Sequence, residues 1–246
     1  MCGQRVAPFA LISSSGGLAS AGNVELPDDL AGPWRLPASE SVGDGEGFSL
    51  ASYDVEAHCG YFVWNREMER MTKRASANAV PLVWAVNVHS GKPCWPRARS
   101  GRGVDFVKFA KGSSAIVREA AIVLQRTTNN RQSRRLVAAV VPSEVVKKFG
   151  GFVCENHTIV IRRKREGVDL GELCSLLGTE AVDREFRRLS TGAHVAVTAL
   201  RDLRLPNPQW FSRLLKETGD AERAAIESYE RLTEVLPEDV RAVATR

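Results

Sequence analysis

Between residues 60 and 165 the chain alternates short apolar runs with polar breaks. The runs are Tyr61–Trp64, Leu82–Val88, Ala121–Arg126, Leu136–Val141, Gly151–Cys154 and Thr158–Ile161. They are rich in Val, Ile and aromatic residues and bounded by Gly, Pro, Asn and Ser, a combination that predicts strands. Short helices are expected to interrupt them at 104–111 and 143–149. Beyond residue 168 the period lengthens. Asp169–Leu177 carries apolar residues at i, i+3 and i+7, which predicts a helix, and Thr179 is placed to cap a second one, Glu180–Leu189. A further strand, His194–Thr198, leads into Leu203–Pro208, and Gln209–Arg246 reads as amphipathic helix.

The first fifty residues differ. Ser13–Gly17 and Gly43–Gly47 have loop composition, and Leu26–Pro37 reads as an extended connector with a few apolar anchors. No period of 20–50 residues repeats. The pattern therefore predicts an α+β fold. A Gly/Ser/Pro-rich linker or domain remnant spans 1–48, an irregular, mixed, barrel-like sheet region spans 49–206, and a helical segment spans 207–246.

Bulk properties narrow the setting. A chain of 246 residues, 43% hydrophobic, suffices for one large or two small domains. It has no run of about 18 apolar residues, the length a membrane helix needs. Val6–Ile12 is too short for a signal sequence, lacks a cleavage pattern and is expected to start the domain. Five scattered cysteines without a Cys-x-x-Cys spacing suit free thiols in a reducing cytoplasm.

Charge changes the picture more. The formal net charge is only +5, but Arg97–Arg135 holds ten Lys/Arg against Asp105 and Glu119, a local +8. A second basic knot is Arg162–Arg165. Such a concentration suits a polyanion, because phosphates relieve the self-repulsion with release of counterions. Its other reading is a solvated basic face.

Catalytic chemistry does not assemble. Gly43-x-Gly-x-Gly47 has no strand before it and no helix after it, so it reads as linker rather than cofactor loop. Asn207-Pro-Gln-Trp210 resembles the Asn-Pro-Pro-Tyr of amino-methyltransferases but lacks the second proline, and it fits a strand exit and helix start as well. His58, His89, His157 and His194 lack metal-ligand spacing, and there is no Gly-x-Ser-x-Gly. His157 could serve an unseen nucleophile; a hydrogen-bonded histidine is its default role. No catalytic residue, metal site or bound cofactor is expected.

What remains is binding chemistry at strand ends. Trp64, Asn65 and Arg66 end one run, and Trp84, Asn87 and His89 end another. Arg126, Thr127 and Thr128 open a polar insert that continues through Asn129, Arg131, Arg134 and Arg135, while Glu155, Asn156 and His157 lie between two strands. Arg, Asn and carboxylate side chains read base edges, and Thr, Ser and Lys suit phosphates. Their recurrence predicts one loop-built face.

Taken in order, Cys59–Arg66, Pro81–Val88, Leu124–Thr128 with Arg134–Ala139, Glu155–His157, Leu177–Arg188 and Val195–Pro206 resemble a known series. It is that of the C-terminal, target-recognising (TaqI-like specificity) domain of adenine-N6 DNA methyltransferases from restriction–modification systems. The resemblance covers about residues 48–215. It implies sequence-specific recognition of double-stranded DNA, with Arg131, Arg134 and Arg135 on phosphates or a guanine. The family's S-adenosylmethionine loop and Asn-Pro-Pro-Tyr do not occur here, and residues 1 to about 40 resemble at most the tail of that catalytic domain. Catalysis and S-adenosylmethionine would then belong to a methyltransferase or restriction partner chain. Two alternatives stay open: a split or truncated adenine-specific methyltransferase, and a protein-interaction domain with an incidental basic face. The terminal helices could dock on a partner or cover this domain's own core.

Overall fold

The computed structural model describes residues 6–12, 18–25, 47–95, 104–127, 132–190 and 194–232. Of the linker or remnant expected at 1–48, residues 1–5, 13–17 and 26–46 lie outside them, as does the end of the expected C-terminal helix. β1 (Val6–Ile12) and β2 (Leu18–Glu25) pair as an antiparallel two-stranded sheet. The main architecture is two four-stranded sheets and a layer of helices.

The first sheet has the order β3 (Val55–Cys59), β10 (Thr158–Arg163), β7 (Ala121–Gln125), β8 (Ala138–Val141), all antiparallel. Side chains alternate across it, as the pleat requires. Ile122, Leu124, Ile159 and Ile161 face the helical side. Ala121, Val123 and Val160 face the second sheet. Both faces are covered, which is why these strands are nearly continuous apolar runs.

The second sheet has the order β4 (Met71–Thr72), β6 (Phe106–Lys108), β5 (Ala79–Val83), β9 (Val153–Cys154), with β5 and β9 parallel. Its Val83 and Cys154 join Val123 and Val160 between the sheets, with Val145 of α1 (Ser143–Phe149). Its other face holds Val80, Leu82 and Val107 with Phe62 and Phe109. Both sheets are open, so the fold is α+β but layered rather than barrel-like.

The helical layer contains α2 (Leu170–Leu177), α3 (Glu180–Leu189), α4 (Val197–Arg201), α5 (Pro208–Thr218) and α6 (Ala221–Glu230). Asp169, Thr179, Asn207 and Asp220 cap four of these helices through their side chains. Phe211 and Leu214 of α5 and Tyr229 of α6 share one core with Ile122 and Ile161. The terminal helices thus cover this domain's own sheet. Asn207-Pro-Gln-Trp210 is a helix start: the Asn207 side chain accepts from Gln209 N (2.9 Å) and Trp210 N (3.3 Å), and Trp210 is buried. Pro208 occupies the first helical position, where no N–H is needed.

Four local expectations are corrected. Residues 106–108 form a strand, not a helix, because β6 is needed between β4 and β5. The Leu82–Val88 strand stops at Val83, where the Asn87 side chain accepts from Trp84 N (2.8 Å) and turns the chain. Tyr61–Trp64 makes only an isolated bridge, Phe62 to Glu155. His194 makes a single bridge to Thr127 before α4 begins at Val197.

Among the described cysteines none is paired. Burial pushes the Cys94 thiol up to about 12 and that of Cys174 to about 11, and raises Cys154 as well. These thiols stay protonated and unreactive at neutral pH. No helix of the described residues is long and apolar enough to cross a membrane.

Candidate nucleic-acid interface

The strand registers bring several loops to one end of the two sheets. Gln125 at the end of β7 pairs with Thr158 at the start of β10. Cys59 at the end of β3 pairs with Ile159, and Leu124 with Ala138 at the start of β8. In the other sheet Val83 pairs with Cys154. The segments 60–66, 84–89, 126–127, 132–137 and 155–157 therefore emerge together.

Arg126 is the hub. Its backbone N donates to His157 O (2.8 Å), and its carbonyl accepts from Val195 N (2.7 Å). Its guanidinium Nη1 donates to Asn156 O (3.2 Å) while the side chain stays half-buried. Asn156 N donates in turn to Phe62 O (2.9 Å), so the Trp64–Arg66 turn follows immediately beyond. Asn65 and Arg66 are exposed there, whereas Trp64 packs partly against the Phe62 cluster. Thr127 is exposed, its Oγ1 3.1 Å from His194 Nδ1.

Glu155 is only 3% exposed, yet it shapes the exposed side of the turn. One carboxylate oxygen accepts from His157 N (3.1 Å), and the other holds His157 Nδ1. The imidazole, 54% exposed, is thus held in one orientation through Nδ1. Gly60 makes this possible. A Cβ there would collide with Glu155 O and lie 2.7 Å from Thr158 Oγ1. Only glycine lets β3 pass that close to the turn.

Asn87 does not belong to the exposed set. It is 1% exposed and engaged with Trp84 N, so it cannot reach a base edge; it builds the turn that carries His89, which is exposed. Gln125 joins this turn to the insert: its Nε2 donates to Val88 O (2.9 Å), and its Oε1 accepts from Gln132 Nε2 (2.9 Å). Arg134 and Arg135 are half-buried at the foot of the insert. Arg134 Nη2 lies 3.8 Å from Glu180 Oε2, and its Nη1 is buried without a hydrogen-bond partner. Thr128, Asn129 and Arg131 lie outside the described residues.

Among the described residues the basic sequence is not one surface; Arg97, Arg99 and Arg102 lie outside them. Arg118 is spent on carbonyls: its guanidinium donates to Ser113 O (3.0 Å), Ile116 O (3.1 Å) and Lys111 O. Arg162 pairs with Glu119 (3.0 Å) and Arg165 with Asp54 (2.6 Å). The Arg162–Arg165 knot sits at the far end of β10 from His157, about 20 Å away at the usual rise of a strand. The end that carries Arg126 combines exposed His, Thr, Asn and Arg with fixed backbone. That combination suits hydrogen bonding to phosphates and base edges. Sequence reasoning found most of these residues but missed Gln125, Glu155 as an anchor, and His194. A lone polar residue closing an apolar strand was the signal that could have found Gln125.

No family model matches the chain, and no curated protein matches it either.

Proposed function

We propose that this chain is a sequence-specific recognition module for double-stranded DNA, of the kind that serves an adenine-N6 methyltransferase in a restriction–modification system. A separate S-adenosylmethionine-dependent domain would flip and methylate the adenine. A cytoplasmic setting goes with that role. The reading rests on the ordered resemblance of residues 48–215 together with one structural observation. Polar side chains from five separated segments meet at one end of the sheets, and buried anchors (Asn87, Gln125, Glu155) hold their backbones. Rigid display of short polar side chains fits duplex readout, in which phosphate contacts set the register and base contacts choose the site.

The test is selection of the purified chain against a pool of random-sequence duplexes at several salt concentrations, with sequencing of what stays bound. An enriched short motif, with affinity falling steeply as salt rises, is the expected result. Binding without enrichment would reduce the module to a non-specific basic surface. No binding at low salt would leave the protein-interaction reading.

A further inference from the structure

We propose that Asp183 is a positioning residue for the DNA-facing end, gripping the 132–137 arm against α3 so that its arginines are ordered before DNA arrives. The inference rests on the DNA-recognition reading. Two acids of α3, Asp183 and Glu185, are nearly inaccessible. A carboxylate buried in a helix–sheet interface is costly unless its oxygens are satisfied by donors and by charge. Both oxygens of Asp183 are. Oδ1 accepts from Arg135 N (2.5 Å) and Leu136 N (3.1 Å), and Oδ2 accepts from Arg187 Nε (2.6 Å). Arg187 then reaches back, its Nη2 donating to Ser133 O (2.9 Å).

One carboxylate and one guanidinium on successive turns of α3 therefore hold the arm at three backbone points, 133, 135 and 136. The arm needs this because β8 starts only at Ala138. The N–H groups of Arg135 and Leu136 take the Asp183 carboxylate as their acceptor, which serves in place of a strand partner. The helix is itself fixed at its start, where Glu222 of α6 accepts from Glu180 N (2.5 Å) and Ala181 N (2.9 Å). The chain of support runs from α6 to α3 to the arm.

The charge arrangement fits the same role. Asp183 itself is inside and paired, so it presents no bare acid to phosphate, while Arg184 and Arg187 are exposed on the same helix. Arg187 lies against the arm that carries Arg134 and Arg135, so the backbone behind these arginines is already set; Arg134 Nη2 lies 3.8 Å from Glu180 Oε2. Ordering a loop before binding removes part of the entropic cost of association. Asp183 would contribute to affinity without touching DNA.

The experiment uses the full chain with the duplex enriched in the selection and a scrambled duplex of equal length, at a temperature where each variant is folded by circular dichroism. Asp183→Ala should weaken binding to the enriched duplex about tenfold, an effect of the size of one good contact. The scrambled duplex should be affected less. Amide exchange at Arg135 and Leu136 should speed up. Asp183→Asn keeps an acceptor for the two N–H groups and should recover part of the affinity; Arg187→Gln should resemble it. Wild-type affinity in folded Asp183→Ala would overturn the proposal, as would weakened binding with unchanged exchange at Arg135 and Leu136. If Asp183→Ala does not fold, unchanged affinity in both Asp183→Asn and Arg187→Gln overturns it equally. If the wild-type chain binds neither duplex, the recognition reading itself falls and this inference with it. If the wild type discriminates but the variants match it, only the positioning role is lost.

Discussion

Phe186→Ala should destabilise the protein by about 3–5 kcal/mol, the usual cost of truncating a buried phenylalanine to alanine. Phe186 is 0% exposed and lies in the core that joins Ile122, Leu124 and Ile161 of the sheet to the helices. It sits one turn beyond Asp183 on α3, so the same helix that fills the core also holds the 132–137 arm. Removing the ring takes away apolar packing and leaves a cavity that the surrounding sheet, tied by its ladders, cannot close. The effect should appear as a lower urea midpoint with an unchanged slope, read by tryptophan fluorescence. Phe186→Leu should recover most of it. A destabilisation below about 1 kcal/mol would mean that α3 is not packed as described.

Arg126→Ala should weaken duplex binding about 10–100-fold, which corresponds to removal of one base or phosphate interaction together with slackening of the turn it holds. Its guanidinium reaches Asn156 O, so its truncation removes a charge from the candidate interface and one tie to the Glu155–His157 turn, while the backbone bonds to His157 and Val195 remain. The salt dependence distinguishes its two possible roles. If Arg126 binds a phosphate, the variant should show a slope of log affinity against log salt lower by about one, evenly across sequences. If it reads a guanine, the variant should relax discrimination at one base pair and leave the slope nearly unchanged. Arg162→Ala at the far end of β10, where the side chain is paired with Glu119, is the control and should change neither. Equal weakening by Arg126→Ala and Arg162→Ala would mean that binding is diffuse rather than confined to one end.

The parts of the fold legible in the sequence were those whose burial is uniform. β7 and β10 are buried on both faces, so Ala121–Leu124 and Ile159–Ile161 read as unbroken apolar runs. α2 and α3 were legible from spacing and from the caps Asp169 and Thr179. β3 was not, because Val55-Glu-Ala-His-Cys59 is an edge strand that turns only Val55 and Ala57 inward. Val104–Lys111 misled because Val, Phe and Ala at those spacings satisfy a helix and a strand alike, and only the place between β4 and β5 decides. His194–Thr198 misled in the opposite sense: its β-branched residues suggested a strand, but it makes one isolated bridge, His194 to Thr127, before α4 begins.

The candidate site divides the same way. Residue type and strand-end position were enough to place Arg126, Thr127, Asn156 and His157 in loops at one end of the sheets. They were not enough to separate reader from anchor. Asn87 has the chemistry of an adenine reader but spends its oxygen on Trp84 N inside the fold. Glu155 reads with Asn156 and His157 as binding chemistry, and Gln125 and Asp183 are not singled out, yet each is buried and fixes a loop through backbone donors or acceptors. For Gln125 and Asp183 these partners lie far away in sequence, 37 residues for Val88 and 48 for Arg135, and local pattern carries no trace of them.

The most direct test of the central claim is an amide hydrogen-exchange footprint of the full chain with and without the enriched duplex. DNA bound as described should slow exchange in 61–66, 126–127, 132–137 and 155–157 together, and leave 162–166 at the other end of the sheet unchanged. Slowing confined to 162–166, or spread evenly over both basic ends, would contradict it.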